Sequence, residues 1–256
     1  MGKDRRFSQV APDGADWRSP SRRSQNRRDS WTRTEVDTSV KMRYPMYLMH
    51  VSDFLRLGEL EPHQVLRDAG KVVPWTTGMK HVFFLSHQWT AHKHPDPSLE
   101  QLRVMQRLML RMMSGSVPTT APTFADASYL PSGAKIEPAE WARLVPDAYV
   151  WMDYFSVPQI GEYLATNASD MHDAIASIPA YIERSSHFFA IVPTVRHYDV
   201  HGVTCDYGSW LERGWCRLEM WALILARFTN LPVIVVKGGE ASHPARACPA
   251  SSLQRA

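Results

Sequence analysis

The stretch HVFFLSHQW, residues 81–89, sets four consecutive apolar side chains, Val82 to Leu85, against an abrupt polar end at Ser86, His87 and Gln88. A run of this length that is apolar at every position fits a strand covered on both faces. Three other segments have the same character: AYVWMDY (148–154), HFFAIVP (187–193) and LPVIVVKGG (231–239). Helical patterns lie between them. SLEQLRVMQRLMLRMMSG (98–115) places Leu99, Leu102, Met105, Leu108, Met109 and Met112 on one face and closes at Gly115. ASDMHDAIASIPAYIERSS (168–186) predicts a helix capped by Ser169 or Asp170 and kinked at Pro179. Glu137 to Leu144 adds a turn or two. Strands alternating with helices predict an α/β fold with a mainly parallel sheet.

Flanking segments differ. Residues 44–78 read as a helical lead-in, with Met49, Phe54, Leu55 and Leu57 at helical spacing and a second short helix from Pro62 to Gly70. Residues 1–40 and 241–256 lack apolar periodicity and are expected to be disordered, the first as a basic tail. The α/β domain is assigned to 79–240.

Charge and cysteine usage narrow the function classes. The chain of 256 residues has a formal charge of +3, and residues 1–33 hold nine Lys/Arg against four Asp, a net +5. The rest is slightly acidic, so the folded part is not expected to bind nucleic acid, whose readers concentrate positive charge on a folded face. The Arg pairs of the tail could touch an anionic lipid surface or RNA, although a solvated tail with phosphorylatable serines fits the composition better. Three cysteines, Cys205, Cys216 and Cys248, are too scattered for a disulfide framework. A reducing, cytoplasmic setting fits. No run approaches the roughly 18 apolar residues of a membrane span. The N-terminus has no secretory h-region, and Arg6 stands where a myristoylation motif needs Ser or Thr.

In parallel sheets, ligands sit beyond the carboxyl ends of the strands. Those ends carry Ser86, His87, Gln88 and Trp89, then Asp153 and Tyr154, then Val192 and Pro193. The segment YGSWLERGWCRLEMWALILARF (207–228) follows the third strand. From Gly214 onward its only charges are Arg217, Glu219 and Arg227. Helical spacing puts Leu218, Glu219, Ala222, Leu223 and Ala226 on the face of Trp215, while Trp221 and Ile224 lie opposite. A helix apolar almost all round is expected to be buried, which would place a carboxylate in the interior. Such a group raises its pKa or finds a partner, Arg213 or Arg184 being candidates. Ser209 and Glu212 have capping-box spacing, whereas Gly214 offers a fresh start that would turn Glu219 toward the strand ends.

HVFFLSH resembles the first strand of TIR domains (Toll/interleukin-1 receptor type). AIASIPAYIERSSHFFAIVP (174–193) resembles the TIR passage from helix B into strand C. WCRLEM resembles the helix C signature Trp-Cys-x-x-Glu-Leu, with Met220 for Leu. LSHQW and VWMDYFSVPQ (150–159) are similar to words of the fungal heterokaryon-incompatibility (HET) domains, themselves TIR-like. The likeness spans residues 80–237. It implies a flavodoxin-like sheet of four or five strands in an intracellular signalling or defence domain of the innate-immunity type. It also implies NAD glycohydrolase activity with Glu219 as the catalytic residue. Ser86, His87, Trp89, Asp153, Tyr154 and Trp215 would bind the substrate, with Trp89 or Tyr154 stacking on a ring of NAD. Departures exist: Arg213 replaces the usual Ser before the Trp, SVPQIGEYLATN (156–167) stands in place of the Gly-rich loop after the second strand, and no fifth strand is evident.

The chemistry would need one carboxylate, no cofactor beyond NAD as substrate, and no metal. Breaking the nicotinamide–ribose bond develops a sugar cation that a buried carboxylate steadies, and the pyridinium leaves without a general acid. An alternative is a non-catalytic module that associates with itself or with other TIR-like domains. A nucleoside-processing transferase is a third. His87, His92, His94 and Asp96 lie close in sequence, but HKHPDP lacks helical i, i+4 spacing, so a metal is not expected there. His197, His201, Cys205 and Cys216 match no zinc pattern.

Overall fold

The computed structural model describes residues 40–119, 135–160, 168–226 and 231–238. Contacts divide the chain into Met1–Glu35 and Val36–Ala256, and every described residue belongs to the second unit. The tails expected at 1–40 and 241–256 lie almost wholly outside the described residues, as does most of the loop that follows Gly115.

In chain order the elements are strand β1 (Tyr47–His50), helix α1 (Val51–Phe54), helix α2 (His63–Asp68), strand β2 (Val72–Pro74), strand β3 (Val82–His87) and helix α3 (Glu100–Met113). Helix α4 (Pro138–Leu144), strand β4 (Tyr149–Met152) and helices α5 (Asp153–Ser156), α6 (Ala168–Ala176) and α7 (Ile178–Arg184) follow. The chain continues through strands β5 (His187–Ile191), β6 (Val195–Arg196) and β7 (Thr204–Cys205), helices α8 (Tyr207–Glu212) and α9 (Gly214–Leu225), and strand β8 (Val233–Val236).

The fold is α/β, with a six-stranded mixed sheet in the order β2-β1-β4-β3-β5-β8. β4, β3, β5 and β8 pair in parallel. β1 and β2 add to one edge in antiparallel fashion. The sheet therefore exceeds the four or five strands expected. The lead-in is also not simply helical: residues 47–50 and 72–74 are strands. Met49 pairs with Val72 and Val150, so tertiary pairing overrides its helical spacing.

Alternation along each strand feeds two cores. From β3, Phe83 and Leu85 join Leu102, Met105, Met109, Trp141 and Val145 on one face. Val82 and Phe84 join Trp151, Ile178, Tyr181, Trp210 and Met220 on the other. Both faces of the sheet are thus apolar, which is why the parallel strands read as unbroken apolar runs. Phe84 stacks between Trp151 and Phe188 across three neighbouring strands, with ring centroids 4.2 and 5.2 Å away.

Local signals explain the ends of the helices. α2 and α3 are followed by Gly70 and Gly115, both at φ 68°, the left-handed conformation that closes a helix most cheaply at glycine. At the other end of α3, Asp96 accepts hydrogen bonds from the amides of Glu100 (3.1 Å) and Leu102 (2.9 Å), satisfying donors of the first turn. The helix expected over 168–186 is two helices broken at Ser177. Its hydroxyl donates to the Asp173 carbonyl and accepts from the Arg43 amide, each at 2.7 Å, and Pro179 follows inside the first turn of α7.

Taken in chain order, the parallel strands β3, β4, β5 and β8 lie second, first, third and fourth across the sheet. The order reverses at β3. Its carboxyl end, flanked by β4 and β5, is the switch point at which such sheets open a crevice.

Candidate functional site

Ser86 and His87 occupy the last two positions of β3, and strand alternation sends them to opposite faces. Ser86 follows Phe84 toward α8 and α9. His87 follows Leu85 toward α5 and the start of α3. Two hydrogen-bonded networks result.

On the first face, the Ser86 hydroxyl donates to Oε2 of Glu219 and accepts from the Trp210 indole N–H at 3.1 Å. All three residues are buried. α9 starts afresh at Gly214 after an extended Arg213, and this turns Glu219 to the end of β3. The capping box belongs to Asp206 and Ser209, not to Ser209 and Glu212. It is tied to β3 through Gln88, whose amide donates to the Asp206 carbonyl (3.0 Å) and to Ser209 Oγ (2.9 Å). That link fixes the turn that presents Trp210.

Burial pushes the Glu219 carboxyl up to about 8. The Ser86 hydrogen bond lowers it and the charge of Asp153 raises it. No arginine pairs with Glu219 among the described residues; Arg184 donates to the Ala180 carbonyl and its guanidinium lies over the Trp75 ring. The side chain is 7% exposed, so it neither lines an open cleft nor belongs to an arginine ion pair. It is a buried acid held by a hydroxyl.

On the second face, Nε2 of His87 lies 2.8 Å from Oδ1 of Asp153, and the Trp89 indole donates to Oδ2 at 2.9 Å. The Tyr154 amide donates to Oδ1 at 2.6 Å. Asp153 opens α5 and does not close the preceding strand, so its carboxylate meets that amide at a helix start. Burial acts to raise its pKa, but the charge and hydrogen bond of His87, with Trp89 and the Tyr154 amide, hold it below the usual carboxylate value. The Asp153 side chain is 34% exposed, and the His87 side chain only 1%. Nδ1 of His87 is buried with no hydrogen-bond partner among the described residues. The Tyr154 ring meets Trp89 edge-on at 5.7 Å and His94 at 5.3 Å.

Of the residues singled out from sequence, Ser86, His87, Trp89, Asp153, Tyr154 and Glu219 gather around the ends of β3 and β4. Trp215 does not. It is 57% exposed, because the stripe of α9 that packs inward is Cys216, Glu219, Met220 and Leu223. The expectation of a helix buried all round fails for the same reason: Leu218, Trp221, Ile224 and Leu225 are also exposed.

Sequence reading did not single out Trp210, and it placed Gln88 at the strand end and Asp96 beside the histidines without finding what either holds. Trp210 lies five residues before Trp215, but its contact with Ser86 depends on the break at Arg213. Cys216 is inert: burial pushes its thiol up, and its S–H donates to the His87 carbonyl at 3.6 Å. His94 and His92 make local contacts. His94 bridges the Leu60 carbonyl and the Asp96 amide, and the ring of His92 lies against His197. Among the described residues no three His, Cys, Asp or Glu side chains converge as metal ligands.

No family model, curated protein or solved structure matches the chain. The site holds a neutral carboxylic acid on one side of a strand end and an ionised carboxylate on the other, with two aromatic rings beside the second. Such a pair can steady a developing cation and bind hydroxyl or ring groups of a polar ligand.

Proposed function

We propose that this chain cleaves the nicotinamide–ribose bond of NAD, with Glu219 as the group that steadies the sugar cation. The observation that carries the reading is the placement of Glu219, buried and bonded to Ser86, at the switch point of the parallel sheet. The strand order of the parallel part, compatible with a flavodoxin-like arrangement, and the likeness of WCRLEM to the TIR helix C signature support it further.

In the proposed reaction the C–N bond to the ribose breaks, its electron pair leaves with nicotinamide, and positive charge develops on the sugar. A cationic pyridinium brought against Glu219 would favour its ionised form, the reverse of what burial does in the free protein. Water then adds to the anomeric carbon and loses a proton, giving ADP-ribose. Asp153, charged and partly exposed, would accept hydrogen bonds from ribose hydroxyls, and Trp89 or Tyr154 would stack on a ring of the ligand. Trp215 has no part in this reading.

The test is incubation of the full chain with NAD at high protein concentration, following nicotinamide release, beside Glu219→Gln whose folding is checked by circular dichroism. Loss of turnover in the variant is the expected result. Undiminished turnover, or none in the unaltered chain, ends the reading. Free nucleosides assayed in parallel separate a nucleoside-processing enzyme from this one. A second reading, a non-catalytic signalling module, is favoured by one observation: Glu219 is almost shut off from solvent and its hydrogen bond is already made.

A further inference from the structure

We propose that the outward face of α9 docks on an anionic lipid bilayer. α9 is 12 residues long, about 18 Å, and its inward stripe is Cys216, Glu219, Met220 and Leu223. The opposite half of its circumference carries Trp215, Leu218, Trp221, Ile224 and Leu225, exposed by 57, 40, 39, 46 and 70%. Arg217 is the one charged residue among them. Large apolar side chains concentrated on one exposed helix face mark a surface that meets something other than water.

The choice of occupant rests on charge. Arg217 stands within the apolar face and Arg213, also exposed, directly precedes the helix. Neither forms an ion pair among the described residues. A second copy meeting the first through the same face would bring arginines of like charge into an apolar contact. Lipid phosphates complement both arginines, while the acyl boundary takes up the leucines and the two indoles. Trp favours that boundary because its ring is apolar and its N–H is polar. A helix lying in the plane of the interface needs an apolar face and flanking cations.

Because this surface is the side of α9 away from Glu219, the proposal stands apart from the NAD reading. The experiment uses the full chain in sedimentation with phosphatidylcholine vesicles, with and without phosphatidylserine, and tryptophan emission as a second signal. The expected result is binding with a blue shift only when phosphatidylserine is present. Trp221→Glu combined with Leu225→Glu should weaken that binding by at least about tenfold while the circular dichroism spectrum is kept. Arg213→Ala combined with Arg217→Ala should weaken it while leaving the apolar face intact. Equal binding by the Trp221/Leu225 variant would assign any attraction to the basic tail and overturn the proposal. So would failure of the unaltered chain to bind. Concentration-dependent dimers in sedimentation velocity, abolished by the same variant, would give the face to a second copy instead.

Discussion

Ser86 and His87 are adjacent in β3, yet their side chains leave the sheet on opposite faces and end on carboxyl groups of opposite character. Ser86 donates to Glu219, which burial keeps protonated at neutral pH, and His87 meets Asp153, which its partners keep ionised. Two carboxyl groups with pKa values pushed apart around one strand end form an arrangement suited to charge chemistry.

The Glu219 carboxyl links stability to pH in a set direction. Its pKa rises from 4.5 unfolded to about 8 folded, so the folded state binds the extra proton between those values. Its contribution is full below pH 4.5, declines as pH rises through that window, and is lost above about 8. Relative to Glu219→Gln, which has no proton to lose, the unaltered chain should lose on the order of 4 kcal/mol between pH 4.5 and 9. Urea unfolding at a series of pH values measures this. A pH-independent difference between the two proteins would mean that Glu219 is not buried.

Ser86→Ala removes the hydroxyl that favours ionised Glu219 and leaves the Trp210 indole N–H without its acceptor. A stability loss of about 1–3 kcal/mol follows from the unpaired buried donor. If NAD cleavage needs ionised Glu219, kcat/KM, which reports the free protein, rises toward pH 8 in the unaltered chain, and the midpoint of that rise moves to higher pH in the variant. An unmoved midpoint would disconnect Ser86 from the titrating group.

Much of this was legible in the sequence. The four parallel strands appear as apolar runs because both faces of the sheet are covered, and the polar residues that end β3, with Asp153 just after β4, gather at the switch point. The two edge strands were not legible. β1 and β2 are four and three residues long, too short to show a period, and hydrogen bonding to their neighbours makes them strands. Glu219 was found because a lone carboxylate interrupts an apolar helix, but its partner was not. Whether it meets an arginine or a hydroxyl depends on the helix phase, set by a break at Arg213 that apolar spacing does not encode. The same one-residue ambiguity put Trp215 on the wrong side, since spacing alone cannot tell which stripe of an all-apolar helix faces the sheet.

Asp153→Ala should be costly for its exposure. The change strips partners from His87 Nε2, the Trp89 indole and the Tyr154 amide at once. A loss of about 2–4 kcal/mol is expected, from donors left unsatisfied in a partly buried setting. Thermal unfolding measures it. A change below about 0.5 kcal/mol, the range of ordinary surface substitutions, would mean that the network is not formed.

His187 gives the chain an acid sensitivity of its own. Burial, aided by the charge of His81, pushes its pKa from 6.5 down to about 3, and the rings of Phe83, Trp141 and Phe189 surround it. The folded state holds the neutral imidazole while the unfolded chain takes up a proton below pH 6.5. The stability tied to this group is therefore complete above pH 6.5 and is lost as pH falls toward 3. His187→Phe keeps an aromatic ring, removes the titrating group, and leaves the Ser186 hydroxyl, 2.9 Å from Nδ1, with its bond to the Val82 carbonyl. The Tm of the unaltered chain should fall relative to that variant as pH is lowered from 7 to 4, by an amount equivalent to roughly 3 kcal/mol at pH 4. Parallel Tm curves over that range would place the imidazole in contact with water.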